Sequence, residues 1–343
     1  MIKRGIAGLR RGAPWSKKLP VGQRGLILLY HRVAESRSDP WSLSVTPRHF
    51  AEQLEILQQY ARPMKLQQLS QGLLDGNLLD RSVVITFDDG YVDNLHNAKP
   101  TLERYDIPAT VFLTTGYIGH GREFWWDELD RLLLQPGTLP KRLSLIIGDS
   151  THRWKLGKAS SYKEDAAHPR WRAWRYVFSA RHRFYHSLWK LLHPLTEGER
   201  RKVLDELLVW AGAEPAARPT HRPLSLEEVV ALAKGELVEV GAHTVTHPAL
   251  STLPAVSQRY EILESKAQLE DILDRRVVSF AYPYGSLSAE TVDIVRAAGF
   301  SCACSSRADA VRLSTERFQL PRVVVRDWSG EEFARRLSRW FSD

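Results

Sequence analysis

Along this chain, short continuous apolar runs alternate with segments whose apolar residues recur at helical spacing. Gly25 to Tyr30 (G-L-I-L-L-Y), Val83 to Phe87, Ile107 to Thr114, Leu237 to Val240, Val277 to Tyr282, Ser301 to Cys304 and Leu320 to Val325 predict buried strands. Between them lie predicted helices. Thr46-Pro47 supplies an N-cap and a first-turn proline before Phe50, Leu54 and Leu57, and Asp93 to Tyr105 forms a helix that Pro100 can split or end. Ala255 to Leu273 and Ser288 to Ala298 follow, the latter closed by Gly299. Ser225 with Glu228, and Ser329 with Glu332, have capping-box spacing before two more helices. Strand, helix and strand at this spacing are βαβ units with right-handed parallel connections. Six or seven such units predict an α/β fold, a barrel or incomplete barrel rather than an open sheet.

The alternation lapses between 116 and 222. Trp125-Trp126 and Leu129 to Leu134 predict a short helix stopped by Pro136 and Gly137. Further on, Trp171, Trp174, Val177, Phe178, Phe184, Leu188 and Leu191 mark an apolar stripe at helical spacing, flanked by Arg172, Arg175, Arg183 and Lys190. We expect a mostly helical insertion at 116–222. Its stripe is a packing face, or a lid over a carbohydrate or phosphorylated substrate, since aromatic rings stack on sugars and arginine binds phosphate. The expected organisation is a basic arm at 1–24, a barrel domain at 25–328 carrying that insertion, and a C-terminal helix at 329–343 packed on the barrel.

Composition narrows the class further. With 343 residues, 43% hydrophobic and 26% charged, the chain can bury a full core and is not a disordered one. No run approaches the ~20 apolar residues of a membrane span, and no secretory leader is visible, so the expected compartment is the cytoplasm. The net charge of +8 is concentrated partly in the first 34 residues, where Lys3, Arg4, Arg10, Arg11, Lys17, Lys18, Arg24 and Arg32 meet no acidic residue. Such an arm is a solvated tail or a contact for an anionic membrane, here the inner face. Cys302 and Cys304 lack zinc-finger spacing and read as buried small hydrophobes.

Candidate chemistry collects at strand tips. The stretch S-V-V-I-T-F-D-D-G, Ser82 to Gly90, delivers Asp88 and Asp89 at the C-terminal end of a buried strand, where parallel α/β folds keep their sites. Two adjacent carboxylates in a dry cleft need a cation, a donor, or both. His243 and His247 follow another strand four residues apart, a spacing that puts both imidazoles on one side of a helical turn. With Asp89 they make a facial set for a divalent metal that leaves positions open for water and substrate. Asp88 is then surplus, either a base for the attacking water or the carboxylate that holds a ligand histidine in place.

T-F-D-D-G at Thr86 to Gly90 together with H-T-V-T-H at His243 to His247 resembles the polysaccharide deacetylase family, which shares the chitooligosaccharide deacetylase domain of carbohydrate esterase family 4. The likeness covers about Gly25 to Val325, apart from the insertion. It implies a distorted (β/α) barrel and metal-dependent removal of acetyl from N-acetylated sugars. Asp89, His243 and His247 match the family's metal ligands, and Asp88 its catalytic base. Tyr284, in Pro283-Tyr284-Gly285, matches the residue whose backbone N–H points at the oxyanion. Two departures follow. Ala281 stands where the family has an arginine, and Arg322 in L-P-R-V is the residue expected to reach Asp88 instead. No histidine follows His247, whereas L-L-Y-H at Leu28 to His31 is similar to the opening strand of permuted members that place their acid histidine first. A histidinium there can protonate a leaving amine near neutral pH.

The expected activity is hydrolysis of the amide bond of an N-acetylated polysaccharide, oligosaccharide, or lipid- or nucleotide-linked amino sugar. The cofactor is one divalent ion, Zn2+ first, with Co2+, Ni2+ or Fe2+ tolerated by the same ligands. The alternatives are a barrel amidase acting on a non-sugar amide and a carbohydrate- or membrane-surface-binding protein with a vestigial site. Nucleic-acid binding has cations and aromatics at 154–192 in its favour but no binding motif.

Overall fold

The computed structural model describes residues 24–163, 171–173, 179–215 and 217–342. The basic arm, apart from Arg24, and part of the aromatic stripe, including Trp174, Val177 and Phe178, lie outside the described residues.

Seven parallel strands form the main sheet: β1 (Gly25–Tyr30), β2 (Ser82–Phe87), β3 (Ala109–Leu113), β4 (Val238–Ala242), β5 (Ser279–Ala281), β6 (Cys302–Cys304) and β7 (Val323–Val324). Their spatial order is β6-β5-β4-β3-β2-β1-β7, with the short strand Arg62–Pro63 paired to the start of β2. The sheet curls into an incomplete barrel. Its two edges approach through the last segment, which bridges β6 at Leu320 and pairs β1 at Val323 and Val324. The fold class is therefore a distorted α/β barrel, and helices cover its outside.

Those helices are α1 (Pro47–Tyr60), α2 (Leu66–Leu74), α3 (Lys99–Tyr105), α4 (Trp125–Leu133), α5 (Ala180–Leu192), α6 (Glu197–Ala211), α7 (Leu226–Leu232), α8 (Ala255–Leu273), α9 (Ala289–Ala297) and α10 (Gly330–Ser342). Strand alternation divides the core in two. Leu26, Leu28, Val83, Ile85 and Phe87 pack outward against Phe50, Leu54 and Leu57 of α1 and Phe333 and Leu337 of α10. Ile27, Val84 and Phe112 point the other way, to a second cluster with Leu66, Leu69, Cys302 and Cys304. Both cysteines are buried and free. Pro100 does not end its helix, because a π-helical turn at Asn94–Ala98 feeds α3 and places the proline in its first turn, where no amide donor is needed.

The region 116–222 differs from the sequence expectation. Besides α4, α5 and α6 it contains an antiparallel hairpin, Arg142–Ile147 with Ser150–Lys155, and Trp171 to Ala173 are not helical. The helix α6 had no counterpart in the apolar pattern. Thr196 and Glu199 cap it reciprocally, and Val203, Leu204 and Leu207 bury its inner face. This region has its own core, in which Tyr117, Phe124, Trp125, Leu129, Tyr185, Leu188 and Leu204 join Tyr91 of the barrel. It is therefore seated beside the tips of β2 and β3.

Candidate metal and catalytic site

Register sets the site. Pairing of β1 with β2 runs from Gly25↔Ser82 to Tyr30↔Phe87, so His31 and Asp88 emerge side by side, and the Asp88 amide donates to the Tyr30 carbonyl at 3.1 Å. Thr86 and Asp88 share the inward parity of Val84. Asp89 would face outward, but its left-handed backbone (φ 75°) turns it so that its carboxylate lines the same cavity. Gly90 follows at φ 87°, and a Cβ there would meet Leu113 Cδ2 at 2.5 Å, so the turn needs glycine.

His243 continues from β4, its amide donating to the Leu113 carbonyl at 2.9 Å. The helical turn expected for His243 to His247 does not form. The segment is a loop with left-handed Thr244 (φ 66°) and His247 (φ 58°). Glu261 of α8 holds it, accepting from the amides of Val245 and Thr246, each at 2.8 Å, and from the Thr246 hydroxyl at 2.6 Å. Thr244 Oγ1 accepts from the His247 amide at 3.0 Å. These tertiary bonds, rather than helix geometry, bring the imidazoles together.

The side chains converge. One ligand atom each from Asp89, His243 and His247 lies within 4.8 Å of the others. Asp89 Oδ1 is 3.3 Å from His247 Nε2 and 3.7 Å from His243 Nε2. Bonds of ~2.0–2.2 Å around one tetrahedral ion give ligand separations of ~3.3–3.6 Å, close to this spacing. The chemistry of the donors also fits a cation. Asp89 Oδ1 is buried without a hydrogen-bond partner among the described residues, and burial pushes the Asp89 carboxyl up from its ordinary range. Burial brings His243 down to about 4 against the pull of Asp88, and His247 down to about 3, so both imidazoles are neutral near pH 7. His243 Nδ1 lies 2.7 Å from the Ala281 carbonyl and donates to it, which leaves Nε2 its lone pair for an ion.

Asp88 is held differently. Arg322, fully buried beyond β6, donates from Nη1 and Nη2 to the two oxygens of Asp88, each at 2.7 Å. Its Nε donates to the Ser305 carbonyl at 2.8 Å. Burial alone would raise the Asp88 carboxyl. The bidentate guanidinium outweighs it, with help from His243, and brings the group down to about 2. Arg322 thus pairs with Asp88, as the side chain of Ala281 cannot.

His31, Asp88, Asp89, His243, His247, Tyr284 and Arg322 all line one cavity of 320 Å³. Burial lowers His31, while the carboxylates of Asp89 and Asp88 pull it back up. Tyr284 stands at the mouth with a left-handed backbone (φ 57°), its ring 4.5 Å from that of His247. Sequence reasoning missed the walls. Trp125 and Trp126 were read only as a short helix, and Trp41, Trp189 and Arg326 were given no place in the site, yet all five line the cavity. Trp126 lies 5.0 Å from the His247 ring, and its indole donates to Tyr91, whose hydroxyl donates to Asp127 at 2.6 Å.

Fold and cluster together define a parallel barrel with three buried side chains able to hold a metal ion at its strand tips and an ionised carboxylate beside them. The family model of polysaccharide deacetylases matches residues 75–137 and 216–303, on either side of the α5–α6 region. Over less than half of its length the chain is similar to the polysaccharide deacetylase family, a metal-dependent family. It is 33% identical over 120 residues to a poly-β-1,6-N-acetyl-D-glucosamine N-deacetylase of Staphylococcus epidermidis, a match covering 30% of this chain and 41% of the relative. The matches span about two fifths of the length of the curated relatives. Two solved structures share the fold. A Streptococcus pyogenes deacetylase in complex with acetate is 16% identical, with a TM-score of 0.56 over 91% of this chain and 97% of that one. IcaB from Ammonifex degensii is 20% identical, with a TM-score of 0.56 over 94% and 98%.

Proposed function

We propose that the protein is a metal-dependent hydrolase that removes N-acetyl groups from a carbohydrate. The observation that carries this reading is the convergence of Asp89, His243 and His247 on one point while Asp88, held by Arg322, stands beside that set with its Oδ2 3.8 Å from His243 Nε2. A divalent ion held by the three ligands, zinc by the donor set, would supply Lewis-acid polarisation of the acetyl carbonyl and make a water acidic enough to attack it.

The remaining work falls to the chain. Asp88 stays ionised near neutral pH because of Arg322, and each of its oxygens keeps one acceptor direction beyond the guanidinium bond, so it can take the proton of the attacking water. Arg322 fixes the plane of that carboxylate. His31 sits on the neighbouring strand tip and delivers a proton to the departing amine; its lowered pKa makes it a stronger acid once charged. The Tyr284 backbone N–H serves the oxyanion. Trp125 and Trp126 keep bulk water from the inner wall.

Acetate release from N-acetylglucosamine and its oligomers, with and without a chelator, tests the reading. Asp88→Asn is expected to lower turnover at least 100-fold, the scale of general base catalysis, while metal content is retained. His31→Ala lowers turnover with metal content unchanged. Chelator-insensitive acetate release, or full activity in Asp88→Asn, would sink the proposal.

A further inference from the structure

The mouth of the barrel is not an open groove. A continuous ring of contacts surrounds it, and the region 116–222 supplies one side. Arg326 donates to the Trp41 carbonyl at 2.9 Å, and the Trp41 ring lies 4.6 Å from Trp189 of α5. Trp189 is 4.7 Å from His193, and His193 is 4.8 Å from Tyr284. Ser306 donates to the Tyr284 carbonyl at 3.3 Å, and below the rim the wall continues where the Arg322 amide donates to the Arg307 carbonyl at 2.9 Å, with Val324 and Arg326 lining it beyond. The rim residues are partly exposed, Tyr284 at 42%, whereas Trp125 behind them is 0% exposed. The cavity within the ring is 320 Å³ and opens to solvent at its mouth. It has room for one pyranose ring with its acetamide.

We propose that this chain admits a single end residue of its glycan through the aromatic collar and excludes the interior residues of a polymer. The proposal rests on the deacetylase reading above. An interior residue has chain on both sides and needs a cleft open at two ends; a collar closed on all sides accepts only a terminus, as a blind pocket does. The wall is matched to a sugar. Trp189 and Trp41 offer faces for the apolar side of a ring. Trp125 Nε1 is buried and makes no hydrogen bond of normal geometry, although the Tyr284 hydroxyl is near, so the pair presents a donor and a hydroxyl to a sugar oxygen. The rest of the substrate has a place outside the rim. Beyond His193 a second cavity of 610 Å³ runs between α6 and α8, lined by Thr196, Pro248, Val256 and Tyr260, the last 59% exposed.

The test uses zinc-loaded full-length protein and a β-linked N-acetylglucosamine oligomer carrying an isotope label at its reducing end. Free amines are mapped by fragment mass spectrometry. The expected map shows an amine on one end residue only, with a single acetate released per oligomer. Trp189→Ala, which opens the collar at a half-buried position, is expected to raise interior amines at least tenfold over wild type. Trp125→Phe keeps the wall, removes the donor and lowers kcat/KM by roughly five- to tenfold, the effect of one neutral hydrogen bond; an unchanged value overturns the indole's part. Interior amines formed by the wild type as fast as end amines overturn the proposal, and that map decides the matter whether or not the variants fold. Absence of acetate from every oligomer and from the monosaccharide overturns the deacetylase reading, and this inference with it.

Discussion

Removing the guanidinium from Asp88 is the perturbation with the clearest arithmetic. Arg322 is 0% exposed and Asp88 4%, and two charge-assisted bonds of 2.7 Å join them. With its carboxyl at about 2 rather than 3.8, ionised Asp88 contributes roughly 2 kcal/mol of stability at neutral pH. The folded pKa is depressed, so this contribution is complete above pH 3.8 and is lost as pH falls towards 2. Arg322→Met does more than delete that net gain, because it strands a buried carboxylate, at a cost of about 3–5 kcal/mol. Asp88→Asn strands the arginine instead. In the double variant neither charge is left, and much of the loss should return. Urea denaturation of the four metal-free proteins at pH 7 measures the cycle. A coupling of at least about 2 kcal/mol is expected, and single-variant losses that add to within ~0.5 kcal/mol would show that the pair does not act as a unit.

Glu261→Ala leaves the amides of Val245 and Thr246 without their acceptor; zinc affinity, read by competition with a chromophoric chelator, is expected to fall 10- to 100-fold although no ligand is touched. His221, brought down to about 2 by burial and by Arg32 and Arg218, is neutral in the fold and binds protons more readily unfolded. Its folded pKa is depressed, so stability falls as pH drops below 6.5, by up to about 1.4 kcal/mol per pH unit, and His221→Asn should flatten the profile between pH 6.5 and 5 by that slope.

Much of the scaffold was legible because it rests on local pattern. The runs at Gly25–Tyr30 and Ser82–Phe87 are buried on both faces, so continuous apolarity marks them, and the capping residues Thr46, Ser225 and Ser329 bond where their spacing predicted. The metal-ligand candidates were legible by type and place, and Arg322 as the arginine able to replace the one missing at Ala281. What was not legible depends on contacts distant in the chain. The His243–His247 loop takes its shape from Glu261, and its left-handed Thr244 and His247 defeat an inference from spacing alone. The helix α6 and the hairpin at Arg142–Lys155 left signals that went unused. Thr196 and Glu199 form a capping box, and Leu143 and Leu145 alternate with exposed neighbours ahead of the Gly148-Asp149 turn. The Trp walls face the site only because the region 116–222 folds back over the strand tips, and no periodicity encodes that.

One ion shared by Asp89, His243 and His247 is the requirement of the proposed amide hydrolysis. Titrating metal-free protein with zinc, while following acetate from an N-acetylglucosamine oligomer, tests both halves at once. Acetate production should rise in proportion to added zinc and level off at one ion per chain, with Asp89→Ala abolishing the rise. Full acetate release before any zinc is added, or an unchanged titration in Asp89→Ala, would contradict it.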